Sequence, residues 1–398
     1  MRSDRKNVLI LATCQMLFGS GRSLLMATAP VVAYALAEEK GLATLPTSLV
    51  IVGTALATIP AAMIMRRFGR RIGFVLGALI GAAGGAVCAH AVIRGEMWLL
   101  AVGAFLFGIF TGFSQLYRFA ATDAAEPRFR SKAISLVLAG GVVAAFLGPE
   151  LAKLGKDLIG SAPFAGGYLF LTAISFLSAL ILLTLHIPRQ TRADRDGTRR
   201  PLSKIVVQPV FIAATVSGAI SQGVMSLLMT ATPIAMQHAH HDFDATALVI
   251  EWHVFAMFAP GFITGWMVGR FGELRMIYAG IILQLACVGV ALSGYSVAQF
   301  WLANLLLGFG WCLSFTAATS LTTFAYTHAE RDKTQGATNF IIFAFVALIS
   351  LLSGALVHYF GWRWVNIGAV PLLLLAALVV WWYSAKPQAQ LAPSSSPG

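Results

Sequence analysis

Four side chains in the middle of the chain have the type and spacing of a soft-metal site. Met225 and Met229 stand four residues apart in one apolar run, and His253 and Met257 stand four apart in the next. On a helix, positions i and i+4 share a face, so each pair presents two donors side by side. Between the runs lies the polar stretch His238-Ala239-His240-His241-Asp242-Phe243-Asp244. If it is the turn of an antiparallel helical hairpin, depth can be counted outward from His241. Met229 and His253 are then each twelve residues away, and Met225 and Met257 each sixteen. Thioether and imidazole together suit Cu(I), whereas magnesium, calcium or manganese would ask for oxygen ligands. Methionine also fills gaps in apolar helices, and with 12 of them in the chain one such pair arises by chance. Two pairs at matching depth, one of them placing a histidine inside the membrane, are harder to obtain by packing alone.

Further donors surround these four. Met236, His238, His240 and His241 could collect metal at the entrance. Pro233 cannot donate to the carbonyl of Met229, which leaves a free oxygen beside a candidate ligand, and Pro260 loosens the next helix just past Met257. Met225-Ser226-Leu227-Leu228-Met229-Thr230-Ala231-Thr232-Pro233, followed by Trp252-His253-Val254-Phe255-Ala256-Met257, resembles the paired signature of the CcoA-like bacterial copper importers, a branch of the major facilitator superfamily. The resemblance implies a copper path through Met225, Met229, His253 and Met257. The same branch holds relatives linked to riboflavin uptake, so a carrier of a vitamin or another small organic molecule is the alternative it implies.

The elements that must position these residues are membrane spans. Of 398 residues, 58% are hydrophobic and 11% charged, a composition that fits a polytopic membrane protein. Runs of about 20 apolar residues, enough to cross a bilayer, fall near 8–36, 45–66, 72–93, 97–121, 131–153, 165–187, 207–236, 246–269, 274–294, 297–326, 334–357 and 363–384. The expected fold is an all-α membrane protein of twelve helices in two pseudo-symmetric halves, 1–187 and 207–385. A basic linker, 188–206, joins the halves, and a disordered tail, 386–398, follows. The opening run reads as the first span and not as a cleaved signal peptide. Lys40, Arg94, Lys153, Lys156 and Arg363 fall in loops of one face, Arg22 lies within the first span, and the rest of the 28 Lys and Arg gather on the other face. Cytoplasmic loops carry that excess, so both termini are expected inside and the histidine-rich turn outside. The net charge of +12 is absorbed by this asymmetry and by anionic headgroups, with no call for nucleic acid.

Arg22 sits among Gly19, Ser20 and Gly21 at mid-membrane depth, where a guanidinium needs a carboxylate or a wet cavity. Glu150 and Glu251 are its candidate partners. A lone Arg beside the path would repel a metal cation and favour an anionic or organic substrate. Arg66-Arg67-Phe68-Gly69-Arg70-Arg71 is similar to the superfamily's loop signature, with Arg66 at the acidic position, and Gly269-Arg270-Phe271-Gly272 repeats its Arg-Phe-Gly six helices later. Such a repeat is expected of two homologous halves, and Arg67, Arg70 and Arg270 are assigned to gating. Glu126-Pro127-Arg128-Phe129-Arg130 and Glu330-Arg331-Asp332-Lys333 form a second repeat pair. Gly148-Pro149 is read as a bend, and no proton relay is visible. Cys14, Cys88, Cys287 and Cys312 fall on different spans, so no disulfide framework is expected.

No nucleotide-binding loop or credible catalytic constellation occurs, which argues against an ATP-driven pump and against an enzyme and leaves transport as the expected class. The leading expectation is a monomeric, lipid-embedded secondary importer of the bacterial inner membrane with copper as transported substrate and no cofactor. The alternative is uptake of riboflavin or another small organic molecule. A non-transporting receptor or assembly factor fits poorly with repeated halves and gating loops.

Overall fold

The computed structural model describes residues 2–124, 130–187, 200–327 and 330–386, and these are helical with short connections. Each of the twelve expected spans coincides with a helix or a pair of helices. In the first half these are α1 (Arg2–Leu36), α2 (Leu45–Phe68), α3 (Arg70–Arg94), α4 (Met97–Ser114) with α5 (Tyr117–Ala124), α6 (Arg130–Lys156) and α7 (Ala165–Leu182). After the short α8 (Leu202–Val206) come α9 (Pro209–His238), α10 (Phe243–Phe258) with α11 (Gly261–Phe271), α12 (Glu273–Leu292), α13 (Val297–Thr322) and α14 (Arg331–Ser384). α14 holds the last two spans, which part at Gly361, where φ is 78°. Linker residues 188–199, the Glu126–Phe129 part of the second repeat and tail residues 387–398 lie outside the described residues.

Many large apolar side chains face outward, among them Leu56, Ile59, Met63, Trp98, Ile282 and Leu378. In water such a surface would drive aggregation; against lipid tails it is the expected exterior. With hydrocarbon outside, helices associate by close packing, and small residues let backbones approach. A Cβ on Gly280 of α12 would lie 2.5 Å from the Gly310 carbonyl of α13, so that crossing tolerates nothing larger.

The Arg-Phe-Gly repeat is a backbone repeat as well. Gly69, between α2 and α3, has φ 94° and ψ 159°, and Gly272, between α11 and α12, has φ 84° and ψ 156°. Both lie where a side chain would be strained, so the same glycine reverses the chain at the same place in each half. Pro260 ends α10, and α11 leaves it at 43°. A proline with no hydrogen to donate accounts for the break.

The two halves meet chiefly at the helix ends opposite the chain's N-terminus. There α2 lies on the first part of α14, and α6 on α10. Ser48 and Ser350 hydroxyls are 2.9 Å apart, and the Gly354 amide donates to Thr44 Oγ1 at 2.9 Å. Tyr34 OH is 3.0 Å from His238 Nε2, Tyr359 donates to Glu39 at 3.1 Å, and the Phe164 and Phe243 rings sit 4.7 Å apart.

Candidate functional site

Beneath that closure, between the halves, is a tight cavity of about 20 Å³, room for about one water, so a larger guest is admitted only as the halves part. Arg22 of α1, Thr47 and Thr54 of α2, and Thr111 of α4 line it from the first half, with Gln115 just beyond α4. Gln222, Met225 and Ser226 of α9, with Phe343 and Val346 of α14, line it from the second. The wall is part polar and part apolar, and no carboxylate belongs to it.

Arg22 makes no hydrogen bond or ion pair among the described residues. Its two candidate partners are taken by another cation, which corrects the expectation. Lys153 Nζ lies 2.7 Å from Glu150 and 3.4 Å from Glu251. Glu150 and Lys153 are one turn apart on α6, and Glu251 reaches them from α10, so the triad ties the halves together. Glu150-x-x-Lys153 is a helical i,i+3 spacing visible in the sequence; the contact with Glu251 depends on tertiary packing. Arg22 is thus left to the cavity, the second of the two environments open to it.

The sequence-predicted metal ligands do not converge on this cavity. Met225 lines it, while Met229, His253 and Met257 are absent from its lining. The reason is packing: α9 lies mainly on α14 and α13, and α10 on α13 and α6, so the two arms are not a closely packed hairpin. His253 is fully buried, and its Nδ1 donates to the Asn304 carbonyl of α13 at 2.8 Å. A carbonyl only accepts, so this bond leaves Nε2 as the unprotonated nitrogen, and Nε2 has no partner.

The donors of the turn are dispersed. Met236 is fully buried, His238 meets Tyr34, and His241 donates to the Tyr295 carbonyl at 2.6 Å. His240 is exposed with φ 61°. Among the described residues no three His, Cys, Asp or Glu side chains gather as a metal site. Arg67 lies 5.3 Å from the Phe68 ring, and Arg270 is in the last turn of α11, both exposed at the loops assigned to gating. All four cysteines are free and buried.

Sequence reasoning missed most of the lining. Gln115 and Gln222 are amides inside apolar runs, a signal that was available. Thr47 and Ser226 gave none, since hydroxyls are common in spanning helices, where they bond the carbonyl one turn back. Thr54 and Thr111 do that, toward Val50 and Phe107. The Thr47 and Ser226 hydroxyls are buried with no partner. Gln222 Oε1 accepts from Trp311 Nε1 at 2.6 Å, which fixes the amide's orientation.

Comparison with known proteins adds to this geometry. The family model described as Major Facilitator Superfamily matches residues 11–231 and 214–398. The chain is 40% identical over 374 residues to the riboflavin transporter RfnT of Brucella anthropi, covering 93% of this chain and 94% of that protein. It is 28% identical over 395 residues to the uncharacterized MFS-type transporter YdeG of Bacillus subtilis, covering 95% and 92%. Among solved structures, a bacterial homolog of the human lysosomal transporter Spinster superposes with a TM-score of 0.76 at 17% identity, over 100% of both chains. At that identity the likeness is one of fold.

Proposed function

We propose that this chain, which belongs to the major facilitator superfamily, is a secondary importer of riboflavin or a closely similar small organic molecule. The observation that carries the reading is the cavity shared by both halves, in which Arg22 stands without a counter-ion. A buried guanidinium unmatched by protein is costly and is best offset by a ligand that brings acceptors or negative charge. The same guanidinium would oppose a copper ion on that path. The 40% identical relative named as a riboflavin transporter supports the vitamin over the metal.

The face bearing the linker and the N-terminus is proposed to be cytoplasmic, because it collects most of the Lys and Arg. With that orientation the chain is an inner-membrane carrier closed to the outside. Uptake of labelled riboflavin by an auxotroph tests the reading: cells expressing the chain should accumulate it, and Arg22→Met should reduce accumulation at least tenfold at equal protein level. Accumulation no greater than in cells lacking the gene would reject it.

Copper import remains a second reading on one observation. His253, with Nδ1 anchored and Nε2 bare, has the orientation of a metal-binding imidazole. The dispersal of the other ligands weighs against it.

A further inference from the structure

We infer that the cavity recognises the hydrogen-bond-acceptor edge of a flat heterocycle, and that donors from both halves grip that one edge. This rests on the small-molecule reading above and names the chemistry by which such a molecule is chosen. Thr54 and Thr111 have committed their hydroxyl hydrogens to the carbonyls of Val50 and Phe107. Gln222 has committed its oxygen to the Trp311 indole, so what it can still offer is its amide hydrogens. The Thr47 and Ser226 hydroxyls are buried and unpartnered, and Arg22 offers up to five N–H groups and no acceptor.

Gln115 and the hydroxyl oxygens can still accept, but the one charged group of the lining, Arg22, only donates, and the lining has no carboxylate to offset it or to hold a cation. Each unmatched buried group favours a ligand that completes it. Met225, Ile51 and Phe343 supply the apolar wall for a ring. A pyrimidinedione edge matches both parts: its two carbonyl oxygens accept from the donors, the imide N–H between them needs one hydroxyl or amide oxygen, and its ring lies on the apolar wall. A polyol would leave the apolar wall unused, and a cationic ring would face Arg22.

The donors divide between the halves, with Arg22 and Thr47 on α1 and α2 and Gln222 and Ser226 on α9. A ligand edge that satisfies all of them bridges the two bodies. Recognition and closure then depend on the same atoms, and Trp311 acts as a positioning residue by holding Gln222 in its donating orientation.

The test is equilibrium dialysis on the full chain in lipid nanodiscs with three probes. Riboflavin carries ring and polyol, lumichrome carries the ring with its pyrimidinedione edge alone, and ribitol carries the polyol alone. Lumichrome should displace riboflavin at a concentration within about tenfold of riboflavin itself, and ribitol should fail at about hundredfold excess. Ser226→Ala and Thr47→Val, which change shape little, should each weaken both ring ligands about five- to tenfold, the worth of one buried hydrogen bond. Trp311→Phe should weaken them less, and Trp311→Phe with Gln222→Leu no more than Gln222→Leu alone. Displacement by ribitol without displacement by lumichrome overturns the inference, and so does parental affinity in both hydroxyl variants. A parent that binds neither ring overturns it together with the transport reading. A parent that binds lumichrome yet brings no riboflavin into cells supports the inference and rejects that reading alone.

Discussion

At the scale of single residues, the copper and vitamin readings differ over what sulfur and imidazole do. Leucine matches methionine in volume and costs under about 1.5 kcal/mol in an apolar core. Met229 and Met257 stand away from the cavity lining, so Met229→Leu and Met257→Leu should leave riboflavin uptake within about twofold of parent, and Met225→Leu should alter it only modestly. His253→Leu removes a buried bond to Asn304 and should lower stability by about 1 to 3 kcal/mol without abolishing vitamin uptake at matched protein level. Copper ligation requires instead that Met225→Leu and His253→Leu each abolish copper accumulation, and uptake assays with both labels separate the two. Arg22 was legible as a residue needing a wet cavity. Gln222 carried a signal as an amide in an apolar run, but Thr47 and Ser226 did not, because periodicity marks which face of a helix is apolar without saying which other helices that face meets.

At the scale of elements, one contact ties the halves together and another anchors the linker to the second half. The first is the Glu150–Lys153–Glu251 triad between α6 and α10. Removing the shared cation would leave two carboxylates facing one another across the interface, so Lys153→Met should favour opening on that face. Because the four native cysteines are buried, a cysteine placed at Thr47 can report it: labelling by a membrane-impermeant maleimide should rise severalfold in Lys153→Met. Unchanged labelling would show that the serine, threonine and tyrosine contacts suffice. The second contact is Arg200 with Glu330, at 2.7 Å, where the linker returns to the second half. Arg200 also donates to the Ala325 carbonyl at 3.1 Å, and Lys333 donates to the Arg200 carbonyl.

The Arg200 guanidinium holds the buried Glu330 carboxyl well below its ordinary value of 4.5. A lowered carboxyl pKa stabilises the fold above the unfolded-state value and loses that contribution as pH falls toward the folded-state value. Thermal unfolding should therefore show no dependence on this pair from pH 8 down to about 5, and a decline below that range. Glu330→Gln should lower stability by roughly 2 kcal/mol at pH 7, less than a fully buried pair because Arg200 is partly exposed. An equal loss at pH 3.5 and at pH 7 would contradict the assignment. The Arg-Phe-Gly reversals at Gly69 and Gly272 were legible at this scale, since a glycine in a repeated motif reports its backbone. The break at Pro260 was legible as a loosening. The triad was half legible, through the spacing of Glu150 and Lys153.

For the whole molecule, composition and repeated apolar runs were enough to read twelve spans in two halves, because a bilayer admits few other solutions for such a chain. Which ends of the helices touch was not readable. That depends on the conformation in which the halves meet, and a sequence encodes every state of a carrier at once. The charge asymmetry predicts that a reporter fused after Lys204 reads cytoplasmic and one fused after His240 reads periplasmic; the reverse would invert the direction of import. Closure around Thr44, Ser48 and Ser350 over a cavity lined by both halves is the arrangement alternating access requires on one side of the membrane. The most direct measurement of the central claim is counterflow of labelled riboflavin into proteoliposomes holding only this chain and preloaded with unlabelled riboflavin. The account predicts rapid accumulation of label, at least tenfold slower with Arg22→Met. It would be contradicted by accumulation no faster than in protein-free liposomes, most sharply if copper entered the same vesicles.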